Sequence, residues 1–256
     1  MENAILVGLS RQVVLERQID VVANNIANLN TTGFKALSSV FQEFLNPIAR
    51  DSAAVPADAQ VHFVLDRTSY RNLGQGPIQQ TGSPLDVAIS GDAFLSVQTA
   101  GGERFTRNGS LQINAAGQLV TLDGALVNGD NGPILLQATD RNMSISADGR
   151  ISVLEGLTNV ESQRGKLRLV SFAQPQQLQD EGANLFSAPA GVAGQPAPAS
   201  VGIIQGATEG SNVNGVQEMT RMVEINRTYS MIASMLQSQQ DARQSTIDKL
   251  ADVPSS

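Results

Sequence analysis

Glycine and proline are concentrated in the middle of this 256-residue chain. Of its 23 glycines, only Gly8 and Gly33 precede residue 74, and none follows Gly215. The prolines are distributed in a similar way, since none occurs before Pro47. Because both residue types interrupt helices and form turns, the middle of the chain cannot be a long helix. The distribution predicts two terminal helices on either side of a turn-rich domain.

Both terminal segments carry apolar residues at the heptad spacing that is typical of coiled coils. The N-terminal stripe consists of Leu15, Ile19, Val22, Ile26 and Leu29. The C-terminal stripe consists of Met219, Met222, Ile225, Tyr229, Ile232 and Leu236. Because most helical stability in water comes from covering such a stripe, we expect each helix to cover the other. The periodicity alone is equally consistent with an ordinary helical hairpin that packs on its own β domain.

The middle of the chain has the pattern of antiparallel β structure. Short runs such as AFLSV, LQIN and KLRLVSF lie between turn-forming pairs. These pairs are Gly101-Gly102, Asn108-Gly109, Asp123-Gly124, Asn128-Gly129 and Asp148-Gly149. Asn-Gly and Asp-Gly adopt the positive φ angles that tight hairpins require. The predicted fold class is mixed, α and mainly β: long N- and C-terminal helices pair as a coiled coil, with an inserted antiparallel β domain.

These patterns divide the chain into five segments. They are an N-terminal helical segment at 1–35, an extended or loop connector at 36–74, an antiparallel β domain at 75–187, a Pro/Ala/Gly linker at 188–205 and a C-terminal helical segment at 206–256. The stripe places the first helix at about residues 3–29. The low-complexity composition of the linker predicts a flexible connection.

Composition excludes several classes of protein. The chain contains no cysteine, so disulfides, thiolate metal sites and cysteine nucleophiles are absent. Its net charge is −7, and an acidic chain without a basic stripe binds a phosphate backbone poorly, so we expect no nucleic-acid partner. No run of about 18 apolar residues predicts a membrane span. The opening MENAILVGLSRQ lacks a basic start, so we expect no cleavable signal peptide.

The sequence contains no credible active site. His62 is the only histidine, and without a second histidine, a cysteine or an acidic cluster beside it, a zinc site lacks ligands. No GxSxG motif supplies a nucleophilic serine. The segment DGALVNGDNG lacks the spacing of a calcium loop, so consecutive turns explain it better. A facing carboxylate pair remains open among Asp86, Asp92, Glu103 and Asp123. We predict no catalytic residue, no cofactor and no metal.

The end of the first predicted helix is unusually rich in asparagine, as VVANNIANLNTTGFKA shows. Asparagine is a mediocre helix former, so Asn24, Asn25 and Asn28 together weaken an isolated helix by ~2 kcal/mol. Either the helix is already ending at these residues, or their side-chain amides bond to groups outside it. The sequence leaves both explanations open.

Four segments resemble bacterial flagellar rod and hook proteins. ANNIANLNTTGFKA, at 23–36, is similar to the N-terminal signature of that family. SPLDVAISGDAFLSVQ resembles the start of the family's β domain, and RFTRNGSLQINAAGQLVTLDGALV resembles its first hairpins. GATEGSNVNGVQEMTRMVEINRTY resembles the C-terminal block. The resemblance covers nearly the whole chain, and the first twelve residues are more similar to proximal than to distal rod members.

The resemblance implies a structural protein of the flagellar basal body rather than an enzyme. Family members form the axial rod that crosses the periplasm and transmits motor torque to the hook, with their paired terminal helices in the inner tube. The implied partners are other flagellar rod proteins, copies of the same chain and the flagellar type III export apparatus, with no nucleic acid and no membrane span. A distal rod or hook-type protein is the alternative. A cell-wall glycan-binding β module is a third hypothesis, which requires an aromatic platform.

In such a polymer the terminal stripes serve as interfaces, and the asparagines are expected to take part. Asn24 and Asn28 are four residues apart, so on a helix they would share a face and could bond neighbouring subunits. Asn25 would help to end the helix before Gly33. Phe34 would anchor the exit from the helix against apolar surface. The predicted protein-interaction residues are both stripes together with Asn24, Asn25, Asn28, Gly33 and Phe34.

Overall fold

The computed structural model describes residues 2–47, 60–156 and 160–251. The chain divides into two compact units. The helix unit comprises the described residues within Met1–Ala27, Leu37–Tyr70 and Asn214–Ser256, and the β unit comprises those within Asn28–Ala36 and Arg71–Val213. Both predicted terminal segments therefore contribute a short stretch to the β unit as well as a helix to the helix unit.

Two long helices pack against each other in the helix unit, α1 Glu2–Ala27 and α2 Gly215–Ala251. Gly8, near the start of α1, lies against Leu236 in the second half of α2. The buried side chains of Val22 and Ile225 lie toward the opposite ends of the two helices. This arrangement is an antiparallel pair.

The connector that follows α1 forms two strands, β1 Leu37–Pro47 and β2 Gln60–Arg71, which pair in a two-stranded sheet. β2 contains His62 and is rich in the β-branched and aromatic residues that favour strands, Val61, Phe63, Val64, Thr68 and Tyr70. Pairing within the connector satisfies backbone groups that a loop would leave to water. Within the connector predicted at 36–74, the described segments Leu37–Pro47 and Gln60–Arg71 are thus extended and paired.

The described residues of the β unit form short strands and one turn of 3-10 helix at Pro175–Gln177. Its strands are β3 Ile78–Gln80, β4 Val87–Ser90, β5 Phe94–Thr99, β6 Gly102–Thr106, β7 Leu111–Ile113, β8 Leu119–Thr121, β9 Leu126–Gly129, β10 Gly132–Pro133, β11 Asp140–Ile145, β12 Arg150–Glu155, β13 Val160–Lys166, β14 Leu169–Ser171, β15 Gln179–Gly182, β16 Leu185–Ser187, β17 Gln195–Pro196, β18 Gly202–Gln205 and β19 Ala207–Glu209. Such short strands follow from the frequent glycines, which end each run after a few residues.

Antiparallel pairing joins most of these strands into a 10-stranded sheet with the order β15-β16-β6-β5-β9-β8-β7, to which β10, β14 and β17 add. The strands β11, β12 and β13 form a three-stranded sheet. Two further pairs, β4 with β18 and β3 with β19, join the end of the unit to its beginning. The mixed fold is confirmed: two terminal helices pack together, and a large antiparallel β domain is inserted between them in the chain.

Three predicted turn pairs occupy hairpin turns, and a fourth does not. Gly102, Gly124 and Gly149 have φ angles of 106°, 83° and 88° and join β5 to β6, β8 to β9 and β11 to β12. The turn predicted at Asn128-Gly129 is wrong, because both residues lie within β9. A Cβ on Gly129 would lie 2.9 Å from the carbonyl oxygen of Lys166, so this glycine allows another backbone to approach.

Two apolar cores lie inside the β unit. The larger core is aliphatic and includes Leu95, Leu119 and Ile151. The smaller core contains the aromatic side chains Phe94, Phe105, Phe172 and Phe186. Their rings meet edge to face with centroids 4.8–5.9 Å apart. These four phenylalanines are therefore packing residues rather than a surface platform for glycan.

The Pro/Ala/Gly stretch predicted as a flexible linker at 188–205 is part of the β unit. It contains β17, which pairs with β14, and β18, which pairs with β4. Gly194 lies so close to the aromatic core that a Cβ there would be 2.2 Å from Cγ1 of Val170. The small residues of this stretch thus permit close packing as well as turns.

Candidate assembly site

The antiparallel helix pair has a narrow inner seam. Val14, Val22 and Ile225 are buried in the helix unit. Gly8 lets the helices approach closely, since a Cβ there would lie 2.8 Å from Cδ2 of Leu236. Of the predicted stripe residues that lie within the two helices, seven are half-buried: Leu15, Ile19, Ile26, Met222, Tyr229, Ile232 and Leu236. One pair of helices therefore shelters its stripes only in part.

A second apolar face of α2 is exposed, and we call it the outer face of α2. It consists of Val216, Met219, Val223, Arg227, Met231 and Met235. The apolar members are between 50% and 77% exposed. Val223 lies two positions before Ile225, about 200° around the helix, so this face points away from the seam. A surface helix normally buries one apolar stripe and is polar opposite it, so a second stripe indicates an interaction surface.

An exposed face of mixed character also lies on α1, and we call it the outer face of α1. It consists of Leu9, Val13, Glu16 and Asp20, which follow one another at steps of four, three and four residues. Leu9 and Val13 are 52% and 46% exposed. This face combines an apolar half toward the start of the helix with an acidic half toward its end.

Asn25 bonds to a group outside its helix, which answers one of the questions raised by the sequence. Its side chain is buried, and both of its polar atoms bond the backbone of Leu37. Nδ2 donates to the Leu37 carbonyl oxygen at 2.9 Å, and Oδ1 accepts from the Leu37 N–H at 2.8 Å. The amide thus takes the place of a neighbouring strand and fastens the start of β1 to α1. Asn25 does not end the helix, which continues to Ala27.

We expect Asn25→Ala to lower the free energy of unfolding by about 1–3 kcal/mol, because a partly buried backbone donor and acceptor of Leu37 lose their partner together. Thermal unfolding followed by circular dichroism measures the loss. Asn30→Ala, at an exposed position in the turn after α1, is the matched control and should change stability by less than about 0.5 kcal/mol. Equal losses from the two variants would contradict this role for Asn25.

Asn24 and Asn28 do not share a helix face, because α1 ends at Ala27, two residues earlier than predicted. Asn28 lies in the following turn, where its Oδ1 accepts a hydrogen bond from the Thr31 hydroxyl at 3.0 Å. Leu29 also lies beyond the helix, so the predicted stripe loses its last member. Asn24 is an exposed residue of α1 that already interacts within the chain.

The segment after α1 is held inside the β unit by Gly33 and Phe34. Gly33 has a φ of 70°, and a Cβ there would lie 2.6 Å from the Asn108 backbone nitrogen, so only glycine fits without strain. Its N–H donates to the Glu209 carbonyl oxygen at 2.7 Å. Phe34 is buried, and the Arg71 guanidinium lies 5.1 Å from its ring centroid.

Three charged side chains meet next to this segment, and we call them the buried charge cluster: Lys35, Arg107 and Glu209. All three are at most 1% exposed. Lys35 Nζ lies 2.5 Å from Oε1 of Glu209, and Arg107 Nε donates to Oε2 at 2.8 Å. One carboxylate therefore bridges two cations by direct contacts. Buried charges are tolerated only when they are paired and hydrogen-bonded, so the remaining donors need partners.

Backbone groups supply those partners. The Gly76 N–H donates to Oε1 of Glu209 at 2.7 Å, and Lys35 Nζ donates to the Gly74 carbonyl oxygen at 2.7 Å. Arg107 Nη1 donates to the carbonyl oxygens of Gly91 and Ala93, both at 2.9 Å. Burial lowers the pKa of Lys35 below its usual value, while the adjacent Glu209 carboxylate acts in the opposite direction.

Asn212 completes the junction next to the cluster. Its Oδ1 accepts from the Ala36 N–H at 2.7 Å, and its Nδ2 donates to the carbonyl oxygens of Asn72 and Gly74 at 2.7 and 2.9 Å. Together with the cluster, it joins the segments 33–36, 72–76 and 209–212. The two places where the chain passes between the β unit and the terminal helices are therefore fastened to each other.

Sequence reasoning did not assign a role to any member of the buried charge cluster. Lys35 and Glu209 stand inside the quoted motifs TTGFKA and GATEGSN, yet a charged residue in a motif is ordinarily read as exposed. The sequence contained one indication of this ion pair: a lysine lies shortly after the first helix, and a glutamate lies shortly before the second. Charge alone could not identify them as partners.

The described residues provide little for catalysis. Among them, no three histidine, aspartate or glutamate side chains are grouped as metal ligands. Asp86 accepts a hydrogen bond from the Thr81 hydroxyl at 2.7 Å, and Glu103 accepts one from the Ser96 hydroxyl at 2.6 Å, so both serve local structure. Neither described helix combines the length and the apolar character that crossing a bilayer requires.

Comparison with known proteins gives matches along most of the chain. Three family models match: "Flagella basal body rod protein" over residues 5–35, "Flagellar hook protein FlgE/F/G D1 domain" over 88–153, and "Flagellar basal body rod FlgEFG protein C-terminal" over 204–249. The flagellar basal-body rod protein FlgF of Caulobacter vibrioides is 37% identical over 254 residues, which cover 99% of this chain and 100% of the relative. The chain belongs to the family of flagellar basal-body rod proteins.

Other rod proteins are similar over comparable lengths. FlgG of Caulobacter vibrioides is 32% identical, with 95% of this chain and 98% of the relative covered. FlgF of Rhizobium meliloti is 29% identical, with 98% of each chain covered. The resemblance to flagellar rod proteins seen in the sequence is confirmed.

The site of this rod protein falls within the matched regions. The three members of the buried charge cluster, Lys35, Arg107 and Glu209, each lie in a different one of them. The outer faces of α1 and α2 lie in the first and the last. The junction thus combines segments that are far apart in the sequence of a rod protein.

Proposed function

We propose that this chain is a structural component of the flagellar basal-body rod that polymerises through its terminal helices. The observation that carries the proposal is the outer face of α2. Its apolar side chains are left in water although the inner seam already uses the opposite side of the helix. Covering a large aliphatic side chain contributes ~1.5–3 kcal/mol, so five such residues are a strong drive for association.

The two-faced helix supports a filament rather than a closed dimer. A contact between unlike surfaces repeats from copy to copy and generates an open helical array when its rotation does not close. One face of α2 packs against α1 of the same chain, and the opposite face is available to bind neighbouring subunits. We propose that the half-buried stripes then pack as a coiled coil in the assembled rod, where further helices cover what one pair leaves exposed.

The buried charge cluster supports a role in transmitting force across the rod. The segment that follows α1 and the segment that precedes α2 are joined by backbone and side-chain hydrogen bonds between 33–36 and 209–212. A buried, hydrogen-bonded network of charges holds these segments together. We propose that the junction limits bending where the β domain joins its terminal segments. Torque is then transmitted through the ion pairs and hydrogen bonds of the junction as well as through the covalent chain.

Within the family we propose the proximal, FlgF-type position in the basal body. The support is the greater identity to FlgF than to FlgG of the same organism, Caulobacter vibrioides, at 37% against 32%. Other rod proteins and copies of this chain are the proposed partners, and the type III export apparatus is the proposed route to the periplasm. A structural role without catalysis agrees with what these relatives are called.

Met231→Glu tests polymerisation through the outer face of α2. The variant should remain folded by circular dichroism, because Met231 is 65% exposed, yet it should lose incorporation into purified basal bodies and lose swimming in soft agar. Leu122→Glu is the matched control, since Leu122 is 61% exposed but lies in the β unit. The control should assemble normally. Normal rods and motility with Met231→Glu would overturn the proposed function.

A further inference from the structure

The outer face of α2 combines apolar side chains with one central positive charge. Arg227 is exposed between Val223 and Met231, and among the described residues it forms no ion pair. Glu224 lies at the edge of this face, three positions from both Arg221 and Arg227, and among the described residues it forms no ion pair with either. A partner for this face therefore needs apolar contacts toward the end of α2 and negative charge opposite Arg227.

The outer face of α1 has this chemistry in the matching order. Leu9 and Val13 are apolar, and Glu16 and Asp20 follow them with carboxylates that form no ion pair within the described part of the chain. Arg17, on the flank of the same face, already interacts within the chain. The two outer faces point away from the seam and from each other, so they cannot meet within one molecule.

We infer that the outer face of α2 binds the outer face of α1 from a second copy of this chain, with the two helices antiparallel. Leu9 of one copy then lies opposite Met235 of the other, and Val13 opposite Met231. Glu16 and Asp20 lie on either side of Arg227. Each step of four residues advances both helices by about 6 Å, so the contacts stay in register along the face.

The antiparallel alignment repeats the one found within the chain. In the inner seam, Gly8 lies against Leu236. The inferred contact places the next residue of α1, Leu9, opposite the preceding residue of α2, Met235, so the two contacts have the same antiparallel register. Copies stacked along a common axis parallel to their helices keep every α1 antiparallel to every α2. The contact joins unlike faces and so propagates from copy to copy. The inference rests on the proposed function and adds to it the identity of the partner and the alignment of the helices.

Disulfide cross-linking tests this contact directly, because the natural chain contains no cysteine. Two full-length chains of different tag size are produced together in cells that lack the native protein. One carries Val13→Cys and the other carries Met231→Cys. After mild oxidation of isolated basal bodies, we expect a disulfide-linked product that contains both tags, since a disulfide forms only when the two Cβ atoms are about 4 Å apart.

The matched control places the second cysteine at Val223, where a parallel alignment would bring it opposite Val13. We expect at least about fivefold less product from Val13→Cys with Val223→Cys than from Val13→Cys with Met231→Cys. Preferential linkage to position 223 would overturn the antiparallel alignment. Absence of a product with both tags in either combination would overturn the second copy as the partner.

Charge exchange supplies an independent measurement. Arg227→Glu in the chain that carries Met231→Cys should lower the yield of the linked product about fivefold. Combining it with Glu16→Arg and Asp20→Arg in the other chain should restore the yield, and failure to restore it would contradict the charge pairing. If Met231→Glu blocks rod assembly while no copies become linked, the proposed function stands and this inference fails. Another rod protein then occupies the face.

Discussion

Glu209→Gln is expected to lower the free energy of unfolding by about 3–5 kcal/mol, the range measured when one partner of a buried ion pair is removed. The neutral amide has the same shape but leaves Lys35 and Arg107 as two buried positive charges without a counterion. A loss of this size is a large part of the stability of a typical domain. Urea unfolding followed by circular dichroism measures it.

Glu181→Gln is the control for the loss of a carboxylate as such. Glu181 forms an ion pair with Arg104, but its side chain is 40% exposed, and an exposed pair contributes at most about 1 kcal/mol. Adding Lys35→Met to Glu209→Gln removes one of the two uncompensated cations, so the double variant should recover at least about 1 kcal/mol relative to additivity. Similar losses from Glu181→Gln and Glu209→Gln would show that the buried charge cluster has no special importance.

Gly33→Ala is expected to lower the free energy of unfolding by about 2–5 kcal/mol. A left-handed conformation costs a residue with a Cβ about 1–2 kcal/mol, and the overlap with backbone adds about 1–3 kcal/mol. The overlap cannot be relieved by a side-chain rotation, because the nearest atoms belong to the main chain of Arg107 and Asn108. The same urea experiment provides the measurement.

Gly82→Ala separates the two contributions. Gly82 has a φ of 73°, close to the 70° of Gly33, but a Cβ there would meet nothing within 4 Å. It should therefore lose only the conformational part, about 1–2 kcal/mol. If the two substitutions reduce stability equally, the close approach of the chain at Gly33 does not matter to the fold.

The helices and several of the turns could be predicted because they depend on neighbouring residues. Stripe positions such as Ile19 and Ile225 recur at helical spacing, and a helix places residues three and four apart on one face whatever it packs against. In the same way, the φ angles at Gly124 and Gly149 are local properties of a hairpin turn. Local periodicity does not say which face another element covers. Met219 was placed in the stripe with Met222, yet the two lie about 60° apart around the helix, and Met219 is exposed.

The functions of individual polar residues could not be predicted in this way. Asn25 looked like a residue that ends a helix, but its partner is the backbone of Leu37, which only the path of the chain after α1 brings within reach. The turn expected at Asn128-Gly129 failed for a related reason. Glycine is needed at position 129 because another strand approaches closely, and the neighbouring residues do not reveal that approach.

By itself, the sequence determined that the ends of this rod protein are helical, that the middle is antiparallel β structure, and to which family the chain belongs. The tertiary structure alone decided that Lys35 and Glu209, 174 positions apart, form one buried ion pair with Arg107, and that α2 keeps a second apolar face in water. The physical reason is that periodicity and turn chemistry act between near neighbours. Burial and ion pairing depend on which distant segments the folded chain brings into contact.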